Sequence, residues 1–402
     1  MHLHGKFGRR GVLRLLAGAG MAPLVWQHRS IAAAVAGRDP WPRKLVLVEL
    51  QGGNDGLNTV VPYASPAYYA GRPTIAVARD EVIRLDDRVG LHPALGPLAE
   101  AWEAGQAAIV QGLGYAEPNR SHFRSIEIWD AAREDRYFTE GWVARIFRTH
   151  PLPDGLAAEG VVLGRPYVGP LLGPGRRVIV MDTAAAFARR GARLGDVKAV
   201  SDNPALAHIL ETQARAVESS SRVTRDLARI DADEALAKRL QAFPADPFGR
   251  QCAELARLLA AGTPVAAVKM SIGSFDTHVY QPAIHARLLA SLAGGLAELR
   301  RFAIERELWD GLLVVTYSEF GRRAAENRSR GTDHGAAAPQ FVLGGKVKGG
   351  LFGPHPDLEA LENGDIALGT DYRRLLATVA ERWWNMPDAL PEFRGQGTIP
   401  LL

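Results

Sequence analysis

The chain has 402 residues, of which 47% are hydrophobic and 23% charged, with a formal net charge of +4. These values exclude a disordered or collagen-like chain and leave ample length for a large core. Part of the positive charge lies in Lys6, Arg9, Arg10 and Arg14 near the N-terminus. No basic run interleaved with aromatics and no zinc-finger or RNA-binding signature appears, so nucleic acid is not an expected partner.

Arg9-Arg10-Gly11-Val12-Leu13-Arg14 is a twin-arginine pattern. A weakly apolar stretch from Leu15 to Val25 and a small-x-small sequence, Ala34-Val35-Ala36, follow in the order of an export signal. Residues 1–36 are therefore expected to be removed during export to the periplasm or medium, leaving 37–402 as a single α/β domain. No apolar run approaches the roughly 18 residues of a membrane span, so the mature chain is expected to be soluble. Cys252 is the one cysteine and cannot form an internal disulfide. The helical pattern around it predicts core packing.

Lys44 to Leu50 is a continuous β-branched and leucine run, as in a strand buried on both faces. Leu95 to Ala104 then reads as helix, Ala107 to Gln111 as strand, and Ser121 to Arg133 as helix, with Phe123, Ile126 and Trp129 at helical spacing. Val178 to Met181 is a short strand. The Ala- and Arg-rich segment 202–242 predicts an inserted helical hairpin interrupted at Ser219-Ser220-Ser221. Pro264 to Ile272 predicts a strand, Gln281 to Arg306 a long helix, Leu312 to Tyr317 a strand, and Asp371 to Trp384 a closing helix. Such alternation predicts a mostly parallel sheet with helices on both faces, and ligands bound beyond the carboxyl ends of its strands.

Polar clusters fall at those ends. In Gly331-Thr332-Asp333-His334-Gly335 a carboxylate and an imidazole share a glycine-bounded loop, which is half of a metal site. Asp276 and His278 are two residues apart, so an extended backbone sends both side chains the same way. Asp55, within Asn54-Asp55-Gly56, is also good turn chemistry. Ser121 precedes a helical run and is equally an N-cap.

Five segments resemble, in order, the motifs of the domain-of-unknown-function family 1501. They are Gln51 to Thr59, Pro118 to Phe123, Phe275 to His278, Ser318 to Arg322 and Gly331 to Gly335, and they span nearly all of the mature chain. That family is in turn similar to the alkaline phosphatase and sulfatase superfamily. The resemblance implies an alkaline-phosphatase-like α/β fold, one or two divalent metals (Zn, Mn, Mg or Ca) and an anionic ester as substrate. It implies Asp55, Asp276, His278, Glu319, Asp333 and His334 as metal ligands. Ser121 would be a nucleophile at a helix N-terminus, with Arg120 and Arg124 clamping the anion.

Two departures weigh against a working enzyme. Phe320 stands where the superfamily usually has a histidine beside the strand-end acid, and Ala336 stands where close relatives often have a second histidine. Neither Cys252 nor Ser121 begins the C/S-x-P-x-R motif of conventional sulfatases. G-x-S-x-G, Walker, H-E-x-x-H and dinucleotide signatures are absent as well. The sequence thus leaves two expectations: an exported metal-dependent hydrolase of phosphate or sulfate esters, or a degenerate fold serving as a periplasmic binding or assembly protein.

Overall fold

The structure is a computed structural model that describes residues 39–134, 137–192, 203–230 and 232–402. The twin-arginine segment lies outside the described residues.

The strands in chain order are β1 (Lys44–Leu50), β2 (Val60–Val61), β3 (Ile83–Arg84), β4 (Gly90–Leu91), β5 (Ala107–Gly114) and β6 (Ala158–Leu163). They continue as β7 (Val178–Met181), β8 (Val265–Ile272), β9 (Leu312–Tyr317), β10 (Ala338–Leu343), β11 (Gly350–Phe352) and β12 (Thr370–Asp371). Nine of them form one sheet in the order β11-β5-β10-β9-β1-β8-β6-β7, with β12 also on β5. β1 pairs parallel to both β8 and β9, whereas β10 runs antiparallel to β9 and β5. A separate three-stranded sheet, β2-β4-β3, packs over a small core that includes Leu57, Tyr68 and Val82.

All seven residues of β1 are buried because both faces of the sheet are covered. Val46, Val48 and Leu50 enter one core with the helices Pro247–Ala260 and Gln281–Glu305. Leu45 and Leu47 enter the other, with the helices His122–Ala131, Trp142–Thr149 and Tyr372–Thr378. This is the expected α/β architecture. Cys252 is fully buried in the first core.

One expected element differs. The helix Pro204–Ala228 runs through Ser219-Ser220-Ser221 without interruption. Ser219 and Ser220 are buried, so the small side chains mark a close-packed helix face rather than a break.

The sheet's carboxyl edge gathers the loops after β1, β5, β8 and β9. Because β10 is antiparallel, it begins at that edge, and the segment preceding it, with Asp333 and His334, arrives among the same loops.

Candidate metal centre

Three loops are fastened together before any ligand is considered. Gln51 N donates to Ile272 O and Phe275 N donates to Gln51 O, both at 2.9 Å, joining the loops after β1 and β8. Residues 321–323 pair with 333–336 through Gly321 N to Ala336 O, Arg323 N to Asp333 O and Gly335 N to Gly321 O. The Arg322 guanidinium, 2% exposed, locks this assembly. It donates to the carbonyls of Gly52, Gly53, Phe275 and Thr332, and to Asp276 Oδ1 at 2.6 Å.

Glycines permit the close approach. Gly52 and Gly53 have φ of +109° and +78°, and their successive N–H groups converge on the Glu319 carboxylate at 2.8–2.9 Å. A Cβ on Gly52 would lie 2.4 Å from Asp276 N, and one on Gly53 would lie 2.5 Å from the Phe320 ring.

Around Asp276 stand three imidazoles. His278 Nε2 is 2.9 Å and His334 Nε2 3.2 Å from Asp276 Oδ1, and the two nitrogens are 3.0 Å apart. His122 Nε2 is 3.5 Å from Asp276 Oδ2. Each ring turns its other nitrogen outward to an oxygen. His334 Nδ1 meets Arg120 O at 2.8 Å, His278 Nδ1 lies 3.5 Å from Asp333 Oδ1, and His122 Nδ1 lies 3.8 Å from Glu319 Oε1. An Nδ1–H donated to Arg120 O leaves the His334 Nε2 lone pair facing Asp276. His122, Asp276 and His334 offer ligand atoms that all lie within 4.8 Å of one another.

The charges follow this arrangement. Burial raises the Asp276 carboxyl, but Arg322 outweighs it and holds the group below the usual carboxylate range. Burial is likewise overcome at Glu319, by His122 and the Gly52 and Gly53 amides. Glu319 and Asp276 raise His122 above the ordinary histidine value despite its partial burial, whereas burial lowers His334. The Asn327 amide, which donates to Asp333 at 3.2 Å, keeps that carboxyl low.

The chain matches a family model described as a protein of unknown function (DUF1501) over residues 42–392. It belongs to the DUF1501 family. No curated protein matches it. Among solved structures it is similar to the lipoteichoic acid synthase LtaP from Listeria monocytogenes, at 9% identity and a TM-score of 0.38, over 92% of this chain and 79% of that one. Similarity to the PsFucS1 sulfatase from Pseudoalteromonas sp. is at 9% identity and a TM-score of 0.37, over 93% and 74% of the two chains.

The residues expected as ligands in this DUF1501 chain separate into three groups. Asp276, His278 and His334 converge. Glu319 and Asp333 stand behind His122 and His278, where they orient imidazoles. Asp55 lies outside the cluster and corrects the expectation: its carboxylate is fully buried against Arg72 Nη1 at 2.6 Å and Gln281 Nε2 at 2.5 Å. Its Oδ1 accepts from Leu57 N and Asn58 N, which is turn chemistry. Burial raises this carboxyl, but Arg72 leaves it below the usual range.

Ser121 precedes the helix His122–Ala131, is exposed, and makes no side-chain capping bond. The expected guanidinium clamp is not assembled around it. Arg120 pairs with Asp365, and Arg124 donates to Glu127 at 3.2 Å and to Glu134 O at 2.8 Å. Phe320 is no ligand but packs on the rings of His334 and His122, at centroid distances of 4.4 and 4.9 Å.

Sequence reasoning left His122 undecided and missed Arg165. A cavity of about 880 Å³ opens beside the cluster, lined by His122, Phe123, Asp276, Glu319, Arg165 and Gln251 among others. Arg165, exposed in the loop after β6, donates to Gln51 Oε1 at 2.9 Å and places a cation on that cavity. Its position after a strand was the only available signal.

Proposed function

We propose that the chain is an exported, metal-dependent hydrolase of phosphate or sulfate esters. One observation carries this reading: His122, His278 and His334 turn their Nε2 atoms toward Asp276 and their Nδ1 atoms toward oxygens behind them. Metal-binding histidines are commonly held in this way, with the outer nitrogen fixed so that the inner one presents a lone pair. The donor set of imidazoles and one carboxylate suits Zn²⁺ better than Mg²⁺ or Ca²⁺, which favour oxygen ligands.

His122, Asp276, His278 and His334 would hold the ion. When bound, it would supply polarisation of an ester oxygen and acidification of a water or hydroxyl. The remaining work falls to the chain itself. Arg322 fixes Asp276, Phe320 walls off two imidazoles, and Arg165 offers a positive charge to an anionic group in the cavity. The Ser121 hydroxyl stands one residue from His122 and makes no capping bond.

Metal content of the signal-free chain, measured by elemental mass spectrometry beside turnover of 4-nitrophenyl phosphate and 4-nitrophenyl sulfate, tests the reading. We expect stoichiometric zinc and turnover of one of these esters in the parent chain, with both lost in Asp276→Ala and His334→Ala. A parent chain that neither carries metal nor responds to added Zn²⁺ or Mn²⁺ overturns it.

A second reading, a binding protein on a degenerate fold, is favoured by Arg322 and Phe320. The guanidinium compensates Asp276 without an ion, and the phenyl ring occupies space beside the imidazoles. Saturable binding of the two esters without turnover, in metal-replete protein, would decide for it.

A further inference from the structure

The large cavity beside the imidazoles has a direction. The helix His122–Ala131 borders it with His122, Phe123, Ile126 and Glu127, and one turn later Asp130 meets the loop after β6, where a Cβ on Gly169 would lie 2.8 Å from Asp130 Oδ2. The helical rise from His122 to Asp130 is about 12 Å, which separates the imidazoles from that loop. Arg165 and Tyr167 stand in the same loop and line the cavity.

Each carboxylate on the cavity wall already has its own donor. Glu49 accepts from Lys269 Nζ at 2.5 Å, Glu127 from Arg124 Nη1 at 3.2 Å, Asp276 from Arg322 Nη2 at 2.6 Å, and Glu319 from the Gly52 and Gly53 amides. Arg165 is exposed, donates to the uncharged Gln51 amide at 2.9 Å, and pairs with no carboxylate among the described residues. The wall also carries Phe123, 84% exposed, with Ile126, Tyr167 and Pro247. Lys269 holds Tyr167 in place, donating to its carbonyl at 3.1 Å with Nζ 5.0 Å from the ring centre. An exposed phenyl ring on a cavity wall offers an aromatic body a stacking surface. A carboxylate matches the guanidinium fork with one charge, whereas a second phosphate would bring two charges to a single cation near Glu49 and Glu127.

We infer that the alcohol of the ester is an aromatic acid whose ring lies along Phe123 and whose carboxylate meets Arg165, an assignment that rests on the hydrolase reading. Hydrolysis of such an ester adds water across the phosphorus–oxygen or sulfur–oxygen bond. The ring hydroxyl leaves with its carboxylate intact, and the phosphate or sulfate keeps the new oxygen.

Calorimetric titration of the signal-free full chain with 4-hydroxybenzoate and with its neutral amide, 4-hydroxybenzamide, requires no turnover. The acid should bind about tenfold more tightly, Arg165→Gln should bring the two within about twofold, and Phe123→Ala should weaken both about threefold. In kinetics, the 4-carboxyphenyl ester should exceed the 4-carbamoylphenyl ester about tenfold in kcat/KM, as phosphate or sulfate, whichever the parent chain turns over, and Arg165→Gln should abolish that ratio. Turnover of 4-nitrophenyl esters without any preference for the acid overturns the inference and leaves the hydrolase reading standing. Absence of all turnover, with the binding preference intact and dependent on Arg165, sinks the hydrolase reading but upholds the pocket's choice of an aromatic acid. A preference that survives in Arg165→Gln places the carboxylate at the imidazoles and overturns the inference. Equal loss of both esters in that variant assigns the guanidinium to the ester group itself and overturns it too.

Discussion

Arg322 shows how one buried side chain can set the geometry of a site from behind it. Its five acceptors come from the loops after β1 and β8 and from the Gly331–Gly335 segment, so its planar fork fixes their mutual position. Lysine is a point charge and cannot span these acceptors. We therefore expect Arg322→Lys to lower metal affinity about 10- to 100-fold and to cost on the order of 3 kcal/mol of stability. A metal competition assay and a denaturant melt check the two effects separately.

A different residue-scale consequence belongs to His285. Burial pushes its imidazole down to about 4 from the ordinary 6.5, and Nε2 meets Asn54 Oδ1 at 2.9 Å. The unfolded chain therefore takes up this proton first as the pH falls. The stabilising contribution is complete above 6.5 and is lost as the pH drops toward 4, by on the order of 3 kcal/mol. His285→Gln keeps an amide within reach of Asn54 and removes the titration. Denaturant melts at pH 4.5 and 7 should show a smaller acid loss in the variant than in the parent.

Asp276/His278 and Asp333/His334 could be singled out because each places a carboxylate and an imidazole within two residues. Asp55 misled because its partner Arg72 is distant in sequence and announced by no periodicity.

Elements explain why these side chains meet. His122 follows β5, Asp276 and His278 follow β8, and His334 precedes β10, yet all reach one edge because β10, alone among the described strands of the central sheet, reverses direction. Alternating helix and strand patterns made the parallel sheet legible, and Leu312–Tyr317 coincides with its expected bounds. That pattern carries no information on strand direction or on which loops lie side by side. The departure at Phe320 therefore read as a loss, whereas the loop after β5 brings His122 as a third imidazole against the same ring. In the other direction, Ser219-Ser220-Ser221 read as a break because serine is a weak helix former, and burial of the helix overrode that preference.

Loop contact at this edge also predicts an effect of backbone size. Gly52→Ala would place a methyl group 2.4 Å from Asp276 N at a φ of +109°. The loops after β1 and β8 must then separate, taking Asp276 from Arg322. Zinc affinity should fall at least about tenfold while the far-UV circular dichroism of the folded protein is retained. Unchanged affinity would show that the two loops adjust independently.

At the scale of the whole molecule, the proposed ion would join segments from three distant parts of the chain, around residues 122, 276–278 and 334. A ligand that binds the folded state alone adds RT ln(1 + [L]/Kd), about 2.7 kcal/mol at a hundredfold excess over Kd. Assembly of this centre requires the fold, because Arg322 and the paired loops create the convergence. Chelation should therefore lower the melting temperature by roughly a few degrees, and zinc should restore it. Asp276→Asn retains much of the shape but removes the carboxylate charge, so its melting temperature should respond little to either treatment. Differential scanning calorimetry of both proteins, with and without chelator, measures the coupling. A parent protein that holds stoichiometric zinc yet melts identically without it would place the ion at a site that needs no fold, contrary to the convergence of His122, His278 and His334 from separate loops around Asp276.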